Sequence, residues 1–181
     1  MKKSKQKIGL ALALILMSCS ALNAQEALRF TNMLLPKSNV DYLISSTAAL
    51  SKLVFVQQNS SLKDPNRRVY DLVVYAYNTK NVLLSGYNPL KLTSATVDSS
   101  YYKDIYISSY TMTKTALTAL IPTNTYNYLR FKPYNDVTAE DLKNYISYSV
   151  YAVASDGITG VKKSTSTSTV TTLQLNPSPP R

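Results

Sequence analysis

The sequence has no histidine, no tryptophan, one cysteine (Cys19) and four glycines in 181 residues. Each shortage removes a class of chemistry. Without histidine, the usual general base near neutral pH and the commonest transition-metal ligand are missing. No Ser-His-Asp or Cys-His arrangement is possible. Beyond Cys19 the chain has no disulfide, no thiolate nucleophile and no cysteine metal site. Gly9, Gly86, Gly157 and Gly160 form no phosphate-cradling loop. We therefore expect a non-enzyme with no catalytic residue, no metal and no cofactor. Carboxylate chemistry is what remains. Asp98 with Asp104, or Asp136 with Asp141, are the pairs a glycosidase would require. Asp136, Glu140 and Asp141 supply oxygen ligands of the kind Ca²⁺ takes, without EF-hand spacing. All sit in turn or cap contexts, where Asp is expected for backbone reasons.

Long hydrophobic runs are also lacking. The longest is Ile8 to Met17, ten residues, against the roughly 20 needed to span a hydrocarbon core. It follows Lys2, Lys3, Lys5 and Lys7 and precedes a short polar stretch with small residues, Ser18 to Gln25. That order is the plan of an export signal, so residues 1–24 are expected to direct the chain to the periplasm, the outer membrane or the medium. Two cuts compete. Leu16-Met17-Ser18-Cys19 resembles a bacterial lipobox, which implies lipidation of Cys19 and a membrane anchor. Two or more acyl chains hold stably, at about 0.8 kcal/mol per buried methylene. The rival cut follows Leu22-Asn23-Ala24 and resembles Gram-negative signal endings. It leaves Gln25 first and the protein soluble.

The net charge of +10 shrinks when the four signal lysines leave, to 16 basic against 10 acidic residues, or +6. The cations are scattered, densest at Arg67-Arg68 and Lys162-Lys163. A nucleic-acid reader shows a stripe or cluster instead, so no nucleic-acid partner is expected. Tyrosine is the abundant residue: 15, against three phenylalanines. Its ring is apolar, its tip polar, and its strand propensity high.

From Gln25 to Asn176 the chain reads as one domain of short strands punctuated by turns, with residues 177–181 a Pro-rich disordered tail. Strands are expected over Leu28–Leu35, Val40–Ser46, Lys52–Gln57, Val69–Asn78, Val82–Ser85, Ile105–Tyr110, Ala116–Ile121, Tyr126–Lys132, Ile146–Ala154 and Thr167–Leu175. In Val69–Asn78 the alternation puts Leu72, Val74 and Ala76 inward, with Val73, Tyr75 and Tyr77 half covered. Lys63-Asp64-Pro65-Asn66 and Asn78-Thr79-Lys80-Asn81 are turns. Thr138 to Asp141 has capping-box spacing, so one short helical turn is expected near 139–144. About nine strands with frequent turns predict an all-β, antiparallel β-sandwich.

Residues 138–154 resemble the end of an immunoglobulin-like sandwich of fibronectin type III kind. In that family a short helical turn precedes the penultimate strand, and an Asp sits four residues before a Tyr that ties the corner. The resemblance implies that Asp141 and Tyr145 form that structural corner. Ser147 stands where antibody domains carry cysteine. Tyr75 with Tyr77, Tyr106 with Tyr110, and Tyr126 with Tyr128 each alternate onto one strand face. As an outer platform they would bind a sugar or a protein partner. As cross-strand pairs they would only stiffen the sheet. The expected job is contact: a structural, adhesive or protein-binding part of an envelope assembly. Two alternatives stand beside it. One is a carbohydrate-binding module using the tyrosine face. The other is an accessory lipoprotein of a secretion machine, because Leu53 to Tyr77 resembles the strand, turn, strand opening of small type VI lipoproteins.

Overall fold

The computed structural model describes residues 28–45, 49–61, 67–84, 90–102, 104–122, 125–135, 143–162 and 170–178. The candidate signal, Cys19, Lys63-Asp64-Pro65-Asn66, Asp136, Glu140 and Asp141 lie outside them, as does most of the expected helical turn near 139–144. Among the described residues, no helix is long and apolar enough to cross a membrane.

In chain order the elements are β1 (Leu28–Pro36), α1 (Lys37–Ser45), β2 (Leu50–Asn59), β3 (Val69–Asn78), β4 (Leu90–Lys91), β5 (Thr93–Tyr102) and β6 (Ser109–Thr113). Then follow α2 (Lys114–Leu120), β7 (Tyr128–Tyr134), β8 (Ser147–Val153), β9 (Thr172–Leu175) and β10 (Pro177–Ser178). The strands hydrogen-bond in the order β10-β6-β2-β3-β1-β7-β8-β9, with β4 added to β3 and β5 to β1. Because β9 and β10 belong to one continuous stretch, that stretch pairs with β8 at one end and β6 at the other. The sheet thereby curls into a nearly closed seven-stranded barrel.

This corrects the antiparallel immunoglobulin-like sandwich. A sandwich needs two sheets packed face to face, and the described residues form one. It is also mixed: β1 runs parallel to β3 through Arg29↔Val69 and Phe30↔Tyr70, and antiparallel to β7 through Met33↔Phe131. Register shifts between Leu50 and Lys52, and between Thr31 and Met33, are the kind of irregularity that tightens twist and helps a sheet close.

The helices are the second correction, since both were expected as turn or strand. In α2, Thr113 holds an extended conformation and its Oγ1 accepts a hydrogen bond from the Ala116 backbone N–H at 3.1 Å. That is an N-cap. Leu117 and Leu120 then fall on one helical face and are buried. In α1, Val40 and Leu43 repeat that spacing, and Lys37 pairs with Asp41 one turn on.

The interior is filled by side chains on the inward face of each strand. Leu53 and Phe55 come from β2, and Leu72, Val74 and Ala76 from β3. Tyr110 and Met112 come from β6, Leu129 and Phe131 from β7, and Tyr148, Val150 and Ala152 from β8. Phe55 and Phe131 meet across the middle with centroids 5.0 Å apart. At full burial each large apolar side chain contributes about 1.5–3 kcal/mol. With no disulfide available beyond Cys19, this packing carries the fold.

Candidate functional site

The topology gathers four strand beginnings at one end of the barrel. β3 is parallel to β1, while β6 and β8 are each two antiparallel steps away from a member of that pair, so β1, β3, β6 and β8 all start there. Between these starts lies a cleft of about 440 Å³. Leu28, Arg68 and Tyr70 form one wall; Asp104, Ile105, Tyr106, Ile107 and Asn144 form the other.

Local hydrogen bonds fix the walls. The Arg29 N–H donates to the Arg68 carbonyl at 2.9 Å, joining the starts of β1 and β3. The Tyr106 N–H donates to the Asn144 carbonyl at 2.8 Å. Asn135 Nδ2 donates to the carbonyls of Lys143 and Tyr145, steadying that loop. Asp104 takes φ +58°, in the left-handed region that Asp tolerates better than most residues. The turn leaves Ile105 half-buried against the core and throws Tyr106 and Ile107 outward, 60% and 43% exposed, the opposite of what their apolar surface favours. The Tyr106 ring leans on Tyr145, centroids 5.6 Å apart.

The floor beneath is aromatic. Tyr70 stacks on Phe30 at 5.6 Å, and Tyr102 tilts against the same ring at 6.0 Å. Deeper, Tyr110 and Tyr148 meet edge to face at 5.2 Å. Tyr110 donates its hydroxyl proton to the Ile146 carbonyl, and Gln57 Nε2 donates to the Tyr148 hydroxyl. Burial pushes both phenols far above their ordinary range, so they stay neutral. The cleft thus offers ring faces, aliphatic surface, one guanidinium, one carboxylate and one amide. Among the described residues, no three His, Cys, Asp or Glu side chains gather as a metal site.

The six tyrosines singled out in the sequence do not share a face. Tyr75 and Tyr77 sit half-exposed on the outside of β3. Gln58 Nε2 donates to the Tyr75 hydroxyl, and Lys52 Nζ lies 5.9 Å from the Tyr77 ring centre. Tyr106 lines the cleft, whereas Tyr110 is buried inside the barrel. Tyr126 is buried under Lys37, whose Nζ is 5.6 Å from the ring centre, and Tyr128 is half-exposed on β7. Burial, with a smaller push from the Asp41 charge, raises the Tyr126 phenol to about 12. Tyr145 packs on Tyr106 at the cleft rim, and Asp141, its expected corner partner, lies outside the described residues. Ile107 and Asn144 carry no motif; of the cleft's charged groups, Arg68 is marked in the sequence by the Arg67-Arg68 pair and Asp104 by its place beside Asp98.

Compared with protein-family models, with curated proteins and with solved structures, the chain finds no match. The cleft is therefore read from its own chemistry.

Proposed function

We propose that this is an exported, non-enzymatic binding protein that grips a protein partner of the Gram-negative envelope through the barrel-end cleft. A lipid on Cys19 holds it to the outer membrane. The observation that carries this reading is the exposure of Tyr106 and Ile107 beside Arg68 and Asp104. Tyrosine and arginine are the residues that most often dominate protein interfaces. A cleft with both charge signs around apolar surface fits an extended peptide stretch bearing an apolar side chain. Export is supported by the Lys-rich start, the short apolar run and the small-residue stretch that follows.

The test is site-specific photocrosslinking in the intact host. A photoreactive residue in place of Ile107 should give a discrete adduct, and one in place of Tyr75 on the outer barrel wall should not. Truncating a hot-spot side chain costs at least about 2 kcal/mol, so Tyr106→Ala should weaken the isolated complex roughly 30-fold. Equal labelling from both positions, or none from Ile107, would sink the proposal. The identity of a captured protein then separates a secretion machine from an adhesive assembly. A glycan is the second reading, favoured by the open Tyr106 ring. It requires tyrosine fluorescence to change on adding host glycans, and Tyr106→Ala to abolish the change. Intact mass of the detergent-extracted protein decides the anchor: a start at Cys19 with added acyl mass, against a start at Gln25 without it.

A further inference from the structure

The barrel closes on a narrow clasp. β9 pairs Leu175, Gln174, Leu173 and Thr172 with Tyr148, Ser149, Val150 and Tyr151 of β8. Two residues on, β10 pairs Pro177 with Tyr110 and Ser178 with Ser109 of β6. Proline has no N–H, so Ser178 is the sole backbone donor that β10 can bring to that two-residue ladder. β6 runs to Thr113, and β10 covers only its first two residues. On β2, by contrast, β6 is paired over five residues, Lys52 to Val56. The seam is thus one of the two narrowest ladders of the circle, with the two-pair contact of β1 and β3 the other. Yet it is not dispensable: Leu175 is 2% exposed, part of the core, and Leu173 packs half-buried against it. Removing the clasp uncovers two strand edges and a slot for Leu175.

We propose that this seam is a strand-exchange interface, at which Thr172–Ser178 of a second copy of this chain replaces the protein's own. The occupant follows from complementarity. The segment that refills the slot must place a leucine at the Leu175 position, pair with β8 at one end, and turn within one residue onto β6. The same segment of another copy does all of this, with every contact already present in the single chain. Exchange of identical elements is a low-cost route to assembly for that reason. The chain also supplies reach. Seven residues, 163–169, separate Lys162 from Val170. Fully extended, that connection covers on the order of 28 Å, enough to carry the strand onto a neighbouring barrel. The seam uses none of the cleft residues, so this inference stands apart from the cleft's partner.

Engineered disulfides read which chain fills the seam. In the full chain carrying Cys19→Ser, Ser109→Cys with Ser178→Cys joins β6 to β10, and Ser149→Cys with Gln174→Cys joins β8 to β9. Each variant is unfolded and refolded at low and at high protein concentration, then oxidised and sized with and without reductant. Exchange predicts that the high-concentration sample doubles in mass and carries its disulfide between chains, while the dilute sample carries it within one chain. An intrachain disulfide at every concentration overturns the proposal, whether the species is monomeric or dimeric. So does a chain without engineered cysteines that stays monomeric over the same concentration series. That second measurement decides the matter if a cysteine pair prevents folding.

Discussion

Tyr110→Phe tests how the barrel's buried polar network is held. The Tyr110 ring is fully buried, faces Phe55 across the β2–β6 ladder, and lies edge-on to Tyr148. Its hydroxyl donates to the Ile146 carbonyl at 2.5 Å. Phenylalanine keeps the ring and its packing, so the loss is confined to the hydrogen bond and to the carbonyl it leaves in a dry interior. A net hydrogen bond is worth about 1 kcal/mol, and an abandoned buried acceptor costs about 1–3 kcal/mol. The expected destabilisation is about 1–3 kcal/mol, or roughly 3–10 °C in Tm for a domain of this size. Tyr148→Phe is the internal comparison. Its hydroxyl accepts from Gln57 Nε2 at a long 3.3 Å, while Gln57 Oε1 keeps its bond from the Ser108 N–H. That variant leaves the buried Gln57 Nε2 without this partner, but the bond given up is long, so its loss should be the smaller of the two. Urea denaturation followed by circular dichroism gives both values, with unchanged denaturant slopes showing that neither variant alters the surface exposed on unfolding. A Tyr148→Phe loss as large as that of Tyr110→Phe, or a Tyr110→Phe loss below about 0.5 kcal/mol, would refute the assignment of strength by geometry.

Stability should hold through neutral pH and decline above about pH 10. Unfolded tyrosines ionise there, whereas Tyr126 holds its proton to about 12 and Tyr110 and Tyr148 beyond that. The unfolded state then binds fewer protons than the native state, so the slope of stability with pH is negative. Denaturant midpoints between pH 8 and 11 check the sign, and a flat profile contradicts it. Thr113→Ala removes the cap of α2 and should cost about 1 kcal/mol by thermal melt, with Thr113→Asn close to neutral. Gly157→Ala places a side chain at φ +69°, where its Cβ would stand 3.0 Å from Leu34 Cδ1. The left-handed penalty alone is about 1–2 kcal/mol, so this substitution should lower Tm more than Thr113→Ala does.

Strands that obey a two-residue period are legible in the sequence. Leu72, Val74 and Ala76 in β3, and Tyr148, Val150 and Ala152 in β8, point inward as their alternation says, and Asn78 to Asn81 forms the expected turn. The short helices are not. Ala116–Ile121 is rich in residues that suit either state, and what decides it is the Thr113 cap and the burial of Leu117 and Leu120. Sheet closure is hidden for a different reason. Periodicity gives each strand's faces but not its neighbours, and β1 chooses β3, β5 and β7, all distant in sequence. The cleft was half visible. Tyr106 and Arg68 stood out by type, but their meeting depends on four strands starting at one end. The face of Tyr110 is not legible, because tyrosine suits both a core and a surface; the Ile146 carbonyl that satisfies its hydroxyl belongs to another part of the chain.

The parallel pairing of β1 with β3 has a consequence for how the chain reaches its native state. A strand that emerges early from the ribosome, with Phe30, Met33 and Leu35 bound for the core, has no adjacent hairpin partner. Its parallel neighbour begins at Val69 and its antiparallel neighbours at Thr93 and Tyr128. Until these are made, β1 is an unsatisfied sticky edge, and pairings this far apart in sequence form slowly because loop closure must be achieved first. The β2–β3 hairpin, whose partners are local, is the natural nucleus, with β1 as the late keystone that locks the two halves together. A holdase that shields that first strand during synthesis would therefore act on yield more than on final stability.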